Sequence, residues 1–310
     1  MRIGIVGAEN EVHSLHMKKV LQARKADVLI IDTLAFPDQA TLSLGDKKAT
    51  YQGRQIDDIK TFYVRTVFYS HPPYDLEEQR AAGTLELDNW YTEYAAERER
   101  QSLLSSWLRT CSLQGKRVIN PVDSFDLHYL KPFQLAILRK NKIPVPRTLV
   151  TNDAQDLLKF KKEVKQVVYK PVAGGAGCQL MQDQDWSKER LALLKGAPVL
   201  FQEYIPGENI RAYVIGNRVV STGIIHTKEV DYREHEEGVE KIALPKSVQQ
   251  LCVKAMEVCG MRFTGIDLKM TPKGDFVFIE CNPSAMFLGF QAQIKDPIDE
   301  LFAEFLLRGR

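Results

Sequence analysis

Apolar and polar positions change period several times along this chain, and each change marks an element. Residues 2–7 (RIGIVG) and 27–32 (DVLIID) are short, nearly unbroken apolar runs, and HSLHMKKVLQAR between them repeats apolar residues at helical spacing. That pattern predicts a strand, a helix and a second strand parallel to the first. ATYQGRQ sets Gly53 between two short extended pieces and predicts a hairpin. TFYVRTVFY is a strongly β-prone run with Arg65 inside it. An arginine in such a place either guards an edge strand or points into a cleft. From Thr84 to Leu113 charged residues such as Glu93, Glu97, Arg98 and Arg100 alternate with Leu, Trp and Ala. This predicts a helix with a solvated face and a stop near Gly115. RVINP predicts one more short strand, ended by Pro121, and the residues to about Tyr129 read as a linker.

In the second half KPFQLAILRKNK predicts a helix, Pro144 and Pro146 a loop, and RTLV a strand. KEVKQVVYKP and PVLFQEYIPG predict two further strands, and IRAYVIGNRVVSTGII a hairpin turning at Gly216 and Asn217. VQQLCVKAMEVCG is amphipathic with Gly260 as its stop. TGIDLKMTPKGDFVFIECNP predicts two strands joined by a Pro-Lys-Gly turn, and the last twenty residues return to helical spacing.

Composition narrows the functional classes. With 310 residues, 44% of them apolar, two or three lobes are expected. The 42 Lys and Arg nearly balance 40 Asp and Glu, so no global field attracts nucleic acid or membrane and any anion site is local. No apolar run approaches the ~18 residues of a membrane span, and MRIGIVGAE does not read as an export signal. Cys111, Cys178, Cys252, Cys259 and Cys281 are an odd set without C-x-x-C or zinc spacing, which predicts reduced packing thiols and a cytoplasmic setting.

Four signals carry chemistry. YKPVAGGAGCQL places Lys170 before its glycines, the reverse of a P-loop, and the glycine pattern is not a dinucleotide fingerprint. Small residues from Ala173 to Gly177, including Gly174 and Gly175, allow backbone N–H groups to close on an anion; a mobile surface turn is the alternative. Lys131 and Lys170 are each placed to direct an ammonium at phosphate, although a lone lysine usually decorates the surface. In FQEYIPGENIR, backbone groups of Gln202, Glu203 and Ile205 suit an adenine edge, Glu208 or Asn209 suits ribose hydroxyls, and Arg211 follows on the next strand. Glu280 and Asn282 are two apart and leave one face of a strand, while a hairpin centred near Gly274 brings Asp267 beside them. Two carboxylates and a carboxamide are hard oxygen ligands that suit Mg²⁺, with Mn²⁺ as a substitute; a solvated hairpin is the alternative.

Taken in order, LKPFQLAILRKNKIPVPRTLV, YKPVAGGAGCQL, FQEYIPGENIRAYVIG, GIDLK and FIECNPS resemble the ATP-grasp ligases, and within them the RimK-like branch, over roughly residues 125–310. The resemblance implies an α/β protein of α+β lobes: an N-terminal βαβ pre-ATP-grasp domain (1–122), a central ATP-grasp lobe (123–200) and a C-terminal ATP-grasp lobe (201–310). It implies that Lys131 and Lys170 contact ATP, that Asp267, Glu280 and Asn282 hold magnesium, and that Arg211 and Arg233 steady the phosphoryl group. The implied reaction joins a carboxylate to an amine or hydroxyl of an amino acid or peptide through an acyl phosphate.

Two departures stand out. Asn209 occupies the place of a ribose-binding acid, and after Arg233 the glutamate ligases' basic, glycine-rich pattern is replaced by Glu234, Glu236, Glu237 and Glu240. That segment and FYVRTV are also similar to ATP-grasp enzymes that cross-link ribosomal peptides into amide- or ester-bridged rings. Two other classes stay in view: a nucleotide-binding module without turnover and a phosphotransferase. Homo-oligomerisation is left open.

Overall fold

The computed structural model describes residues 1–46, 48–66, 89–174, 177–229 and 235–308, with backbone alone for 89–93. It divides into two units, residues 1–122 with 306–310, and residues 123–305.

The first unit opens as its apolar pattern predicts. β1 (Arg2–Gly7) pairs in parallel with β2 (Asp27–Asp32), and α1 (Val12–Ala23) connects them, burying Met17 and Leu21. Its N-cap is Glu11, whose carboxylate accepts from Ser14 N at 2.7 Å and so satisfies a donor the first helical turn leaves unpaired. β3 (Leu42–Leu44), β4 (Ala49–Tyr51) and β5 (Arg54–Gln55) form a small antiparallel sheet, with Gly53 at φ +71° in the predicted turn. β6 (Thr61–Val64) lies between β1 and β7 (Arg117–Ile119) in the parallel sheet β2–β1–β6–β7.

The interior position of β6 removes the edge-strand explanation for Arg65. That residue follows the strand's end, is buried, and pairs with Glu11 at 3.0 Å. Residues 67–69 of the β-prone run lie outside the described residues, as do 84–88 of the expected helix. α2 (Asn89–Leu113) ends where Gly115 predicts, and its Trp107 meets Phe62 edge-on at 5.2 Å.

Past Pro121 the structure corrects the expected linker: residues Val122–Tyr129 form helix α3. Asp123 lies in its first turn and His128 in its last, charges that complement the helix dipole. α4 (Lys131–Lys140) follows at once, with Pro132 in its first turn. β8 (Thr148–Thr151) leads into a helix that the sequence reading lacks, α5 (Ala154–Glu163), capped by Asp153 through Gln155 N at 2.7 Å. Lys162 and Glu163 therefore close a helix rather than open a strand, and β9 begins only at Val167 (Val167–Pro171).

β10 (Gln179–Leu180) and β11 (Val199–Glu203), with α6 (Lys188–Ala192) between them in the chain, complete the antiparallel sheet β10–β9–β11–β8. Its core unites Leu157, Phe160, Val167, Leu191, Leu194 and Phe201.

The second sheet of this unit, β14–β13–β12–β15–β16, comprises β12 (Glu208–Ile215), β13 (Arg218–His226), β14 (Gly238–Lys241), β15 (Phe263–Met270) and β16 (Phe276–Asn282). Both predicted hairpins are present, turning at Gly216 (φ +61°) and Gly274 (φ +84°). Amphipathic α7 (Lys246–Val258) covers one face together with α3 and α4. Leu127 and Leu138 from those helices join Ile210, Ala212, Val214, Ile266, Leu268, Phe278 and Cys281 in one core. The α8 (Leu288–Ile294) and α9 (Ile298–Leu307) helices end the fold as the helical spacing of the tail predicts.

Candidate active site

One face of the second sheet is apolar and packed; the other carries the predicted site residues. On β12, Ile210, Ala212 and Val214 enter the core, so Asn209, Arg211 and Tyr213 must leave the opposite face. Cross-strand register then builds two rows. Arg211 opposes Asp267, which opposes Glu280; Tyr213 opposes Gly265, which opposes Asn282.

Both rows depend on a β-bulge that sequence spacing does not reveal. Leu268 pairs with Phe278 while Asp267 pairs with Glu280, so Ile279 is an extra residue. Without it, Glu280 would share a face with Phe278, which is fully buried in the core. With it, Glu280 and Asn282 stand beside Asp267.

The polar face is tightly knit. Arg211 Nε lies 2.7 Å from Asp267 Oδ1, and Asn282 Nδ2 donates to Asp267 Oδ2 at 3.1 Å. Lys131, at the start of α4, bonds Glu280 Oε1, and His128 Nδ1 stands 3.7 Å from the same oxygen. Lys170 enters from β9, and both lysines are buried. Burial lowers the Lys170 pKa, against the pull of Glu280 and with the push of Lys131. For Glu280 burial alone would raise the pKa, but the ammonium groups of Lys131 and Lys170 hold it below the ordinary carboxylate range. Burial pushes the Tyr213 phenol up to about 12, against the Arg211 guanidinium.

The glycine loop reaches the same place. Gly174 adopts φ +83°, and a Cβ there would stand 3.3 Å from Lys131 Cε. Gly177 closes the described part of the loop, whereas Gly175 lies outside the described residues. Arg233 and Glu234 are likewise outside them.

Gln202, Glu203, Ile205 and Asn209 lie along the connection from β11 to β12. Gln202 is buried with its amide donating to Thr148 Oγ1 at 3.0 Å, and Glu203 Oε1 accepts from Arg147 N at 2.8 Å. Glu203 N and Tyr204 N donate to Arg147 O and Gln166 O at 3.0 and 2.9 Å. Gly207 allows the turn between these residues: at φ +125° a Cβ would lie 2.0 Å from Met270 O. Asn209 Oδ1 accepts from Lys269 Nζ at 3.0 Å.

Three contributors lie outside the residues singled out from the sequence. Lys269 bonds Asn209, His128 stands beside Glu280, and Gln134 joins α4 to β16 from a fully buried position. A polar residue one turn after Lys131, on a helix face otherwise apolar, is the trace that would have found Gln134.

Asp267, Glu280 and Asn282 fit a hard divalent cation by donor chemistry, since all three offer oxygen from adjacent positions on paired strands. Among the described residues no three His, Cys, Asp or Glu side chains cluster as a metal site, so this donor set depends on the Asn282 amide. No helix of the described residues is long and apolar enough to cross a membrane.

Comparison with known proteins bears on the fold and family. The model of the RimK-like ATP-grasp domain matches residues 131–306. A structure of the ATP-grasp ligase PsnB, complexed with a phosphomimetic variant of its minimal precursor, Mg and ADP, is 35% identical and superposes with a TM-score of 0.88 over 98% of this chain and 97% of that one. A probable alpha-L-glutamate ligase of Vibrio vulnificus is 23% identical across 99% of this chain and 95% of its own. The tetrahydromethanopterin:alpha-L-glutamate ligase of Methanococcus maripaludis is 25% identical, but over 51% of this chain and 58% of its own. By the match over its C-terminal half and more, the chain belongs to the RimK-like ATP-grasp family of ligases, which couple ATP to carboxylate–amine bond formation.

Proposed function

We propose that this protein is a peptide-modifying ATP-grasp ligase that activates a carboxylate as an acyl phosphate and passes it to an amine or hydroxyl. The single observation that carries the reading is the convergence of Lys131, Lys170 and Arg211 on Asp267 and Glu280. Three cations against two carboxylates, largely out of water, leave an excess positive charge that a triphosphate would match.

A carboxylate is a poor electrophile. Its oxygen attacks the γ-phosphorus of ATP, the bond to the bridging oxygen breaks, and ADP leaves. The nucleophile then attacks the acyl carbon, loses one proton, and inorganic phosphate departs. Charge grows on the transferring phosphoryl group, so prepositioned cations supply most of the acceleration.

In this scheme Lys131 and Lys170 bind the phosphates, Arg211 and Arg233 steady the phosphoryl group, and Gly174, Gly175 and Gly177 close over it and exclude water. Gln202, Glu203, Ile205 and Asn209 border the nucleoside. Asp267, Glu280 and Asn282 would hold Mg²⁺, with Mn²⁺ as a substitute, which would supply positive charge to neutralise the phosphates.

A peptide substrate is favoured over free glutamate by the relatives. PsnB, whose structures include complexes with a minimal precursor and with precursor peptide PsnA2, aligns over 98% of this chain at 32–35% identity, whereas the glutamate ligase matched over the whole chain is 23% identical. Near the acceptor side, Glu236 accepts from Gln293 Nε2 at 2.6 Å and Glu240 stands 3.1 Å from His226 Nε2. These carboxylates replace a basic pattern and suit a cationic or hydroxyl-bearing nucleophile rather than a dicarboxylic amino acid. Five free thiols fit a reducing, cytoplasmic setting.

A hydroxylamine trap tests the proposal. Protein, Mg²⁺ and ATP are offered acidic peptides, free glutamate and other amino acids, and hydroxamate and ADP are read by mass spectrometry. Hydroxamate on a peptide side chain is expected; hydroxamate on free glutamate alone would replace this reading with that of an amino-acid ligase. Tight ATP binding with neither product would favour a module without turnover.

A further inference from the structure

The edge of the second sheet poses a physical problem. Among the described residues β16 pairs only with β15, so no described strand lies along its outer backbone edge, yet Glu280 and Asn282 sit on this strand. An unsupported edge at a bulge shifts easily, and a displacement of about 1 Å is enough to disable a phosphoryl-transfer site.

The structure answers with two contacts from the chain before β8. Phe278 N donates to Pro144 O at 2.8 Å. At Cys281, between the two proposed ligands, the Gln134 carboxamide does both halves of a ladder bond. Its Nε2 donates to Cys281 O at 2.9 Å, and its Oε1 accepts from Cys281 N at 2.9 Å. Gln134 is 1% exposed, so neither half is exchanged for water without cost.

Only a carboxamide of this length offers a donor and an acceptor side by side from a helix backbone. Gln134 is also one turn from Lys131 on α4, which places both on one helix face. Docking Gln134 on Cys281 therefore brings the Lys131 ammonium to the neighbouring Glu280.

We propose that Gln134 is a positioning residue for the nucleotide and metal site: its carboxamide acts as a one-residue strand that locks the lysine-bearing helix α4 to the carboxylate-bearing edge of β16. The inference rests on the ATP-site reading above and adds to it the element that sets the Lys131–Glu280 register. Its signature is a loss of Mg²⁺-dependent nucleotide affinity that works through Lys131.

The test measures ADP and ATP-analogue binding by calorimetry as a function of Mg²⁺, together with thermal unfolding and kcat and KM for ATP. Gln134→Met, similar in volume without the hydrogen bonds, is made alone and in a Lys131→Met background. Gln134→Asn, which keeps an amide one methylene shorter, stands in if the methionine variant fails to fold. About tenfold weaker Mg²⁺-dependent binding is expected in the wild-type background, with KM rising more than kcat falls. In the Lys131→Met background the same change has less than a twofold effect.

Wild-type affinity in either variant overturns the proposal. So does an equal loss in both backgrounds, which marks Gln134 as a general stabiliser. Failure of the unaltered protein to bind nucleotide at all would sink the ATP-site reading, and this inference with it, and is told apart from the other outcomes by that control.

Discussion

Two buried clusters of paired charges, one in each unit, differ in where their partners come from. Around Glu11 the partners are local or one strand away: Ser14 N at 2.7 Å, Ser14 Oγ at 3.0 Å, His13 Nδ1 at 3.1 Å and Arg65 Nη2 at 3.0 Å. Arg65 is the arginine that meets this carboxylate among the described residues, and the carboxylate also caps a helix. Around Asp267 and Glu280 the partners arrive from separate elements, Lys131 from α4, Lys170 from β9 and Arg211 from β12, and cations exceed carboxylates. A pair whose oxygens are saturated nearby holds a fold together. One gathered from distant elements with charge in excess is built to meet a ligand.

The largest effect expected from breaking this contrast is on turnover. Glu280→Gln should lower ATP-dependent product formation about 10³-fold, in line with the loss of a key electrostatic group, in protein that thermal unfolding shows to be folded. ADP release and thermal unfolding measured on one preparation decide it. A Glu280→Gln enzyme with near-normal rates would move this cluster into the structural class.

Glu11→Gln should do the reverse, costing roughly 2 kcal/mol of stability at neutral pH by leaving the Arg65 guanidinium buried beside a neutral amide. The sign of its pH dependence follows from the pKa. Burial alone would raise the Glu11 pKa, but hydrogen bonds from His13 and Ser14 and the Arg65 charge hold it well below its ordinary 4.5. Its stabilisation is thus complete above about that value and is lost as pH falls below it. The gap between unaltered and Glu11→Gln protein should shrink in unfolding experiments taken from pH 6 to pH 3; a constant gap would refute the charge account.

How much of this was legible beforehand follows the same division. Elements whose apolar period is regular, such as β1, α1, α7 and the β12–β13 and β15–β16 hairpins, are readable because burial alone sets their phase. Helices α3 and α5 are not, since α3 begins right after a proline and α5 offers only Leu157 and Phe160 to the interior. Lys131, Lys170, Asp267, Glu280 and Asn282 were legible as types at suggestive spacings. The bulge at Ile279 was not, because one extra residue inside the apolar run Phe276–Ile279 leaves no trace in composition. Arg65 likewise carries the same letter on an edge or in an interior ion pair, and only the strand order distinguishes them.

A smaller effect is expected at the ribose end. Asn209→Asp adds a charged acceptor beside Lys269 Nζ, now 3.0 Å from the amide oxygen, and should tighten nucleotide binding about three- to fivefold by strengthening hydrogen bonds to hydroxyls. Unchanged or weaker binding in calorimetry would remove Asn209 from the nucleoside border. The smallest effect concerns the thiols. Burial raises Cys252 to about 12 and Cys111 to about 11, and a hydrogen bond with Cys259, added to burial, raises Cys281 well above its ordinary value. Partly exposed Cys178, in the glycine loop, should therefore react first with iodoacetamide, and MgATP should slow it severalfold. Labelling of Cys252 or Cys281 ahead of Cys178 would contradict the burial assignment.

The central claim, that the cation-rich cluster activates a carboxylate by phosphoryl transfer, is tested most directly by positional isotope exchange. ATP carrying ¹⁸O in the β,γ-bridge is incubated with protein, Mg²⁺ and an acidic peptide that lacks the nucleophile. Migration of label to non-bridging β-oxygens, dependent on the peptide and absent in Glu280→Gln, is predicted, because reversible acyl-phosphate formation frees the β-phosphate of ADP to rotate. Bound ATP with no migration and no ADP, across peptides that bind, would contradict the account.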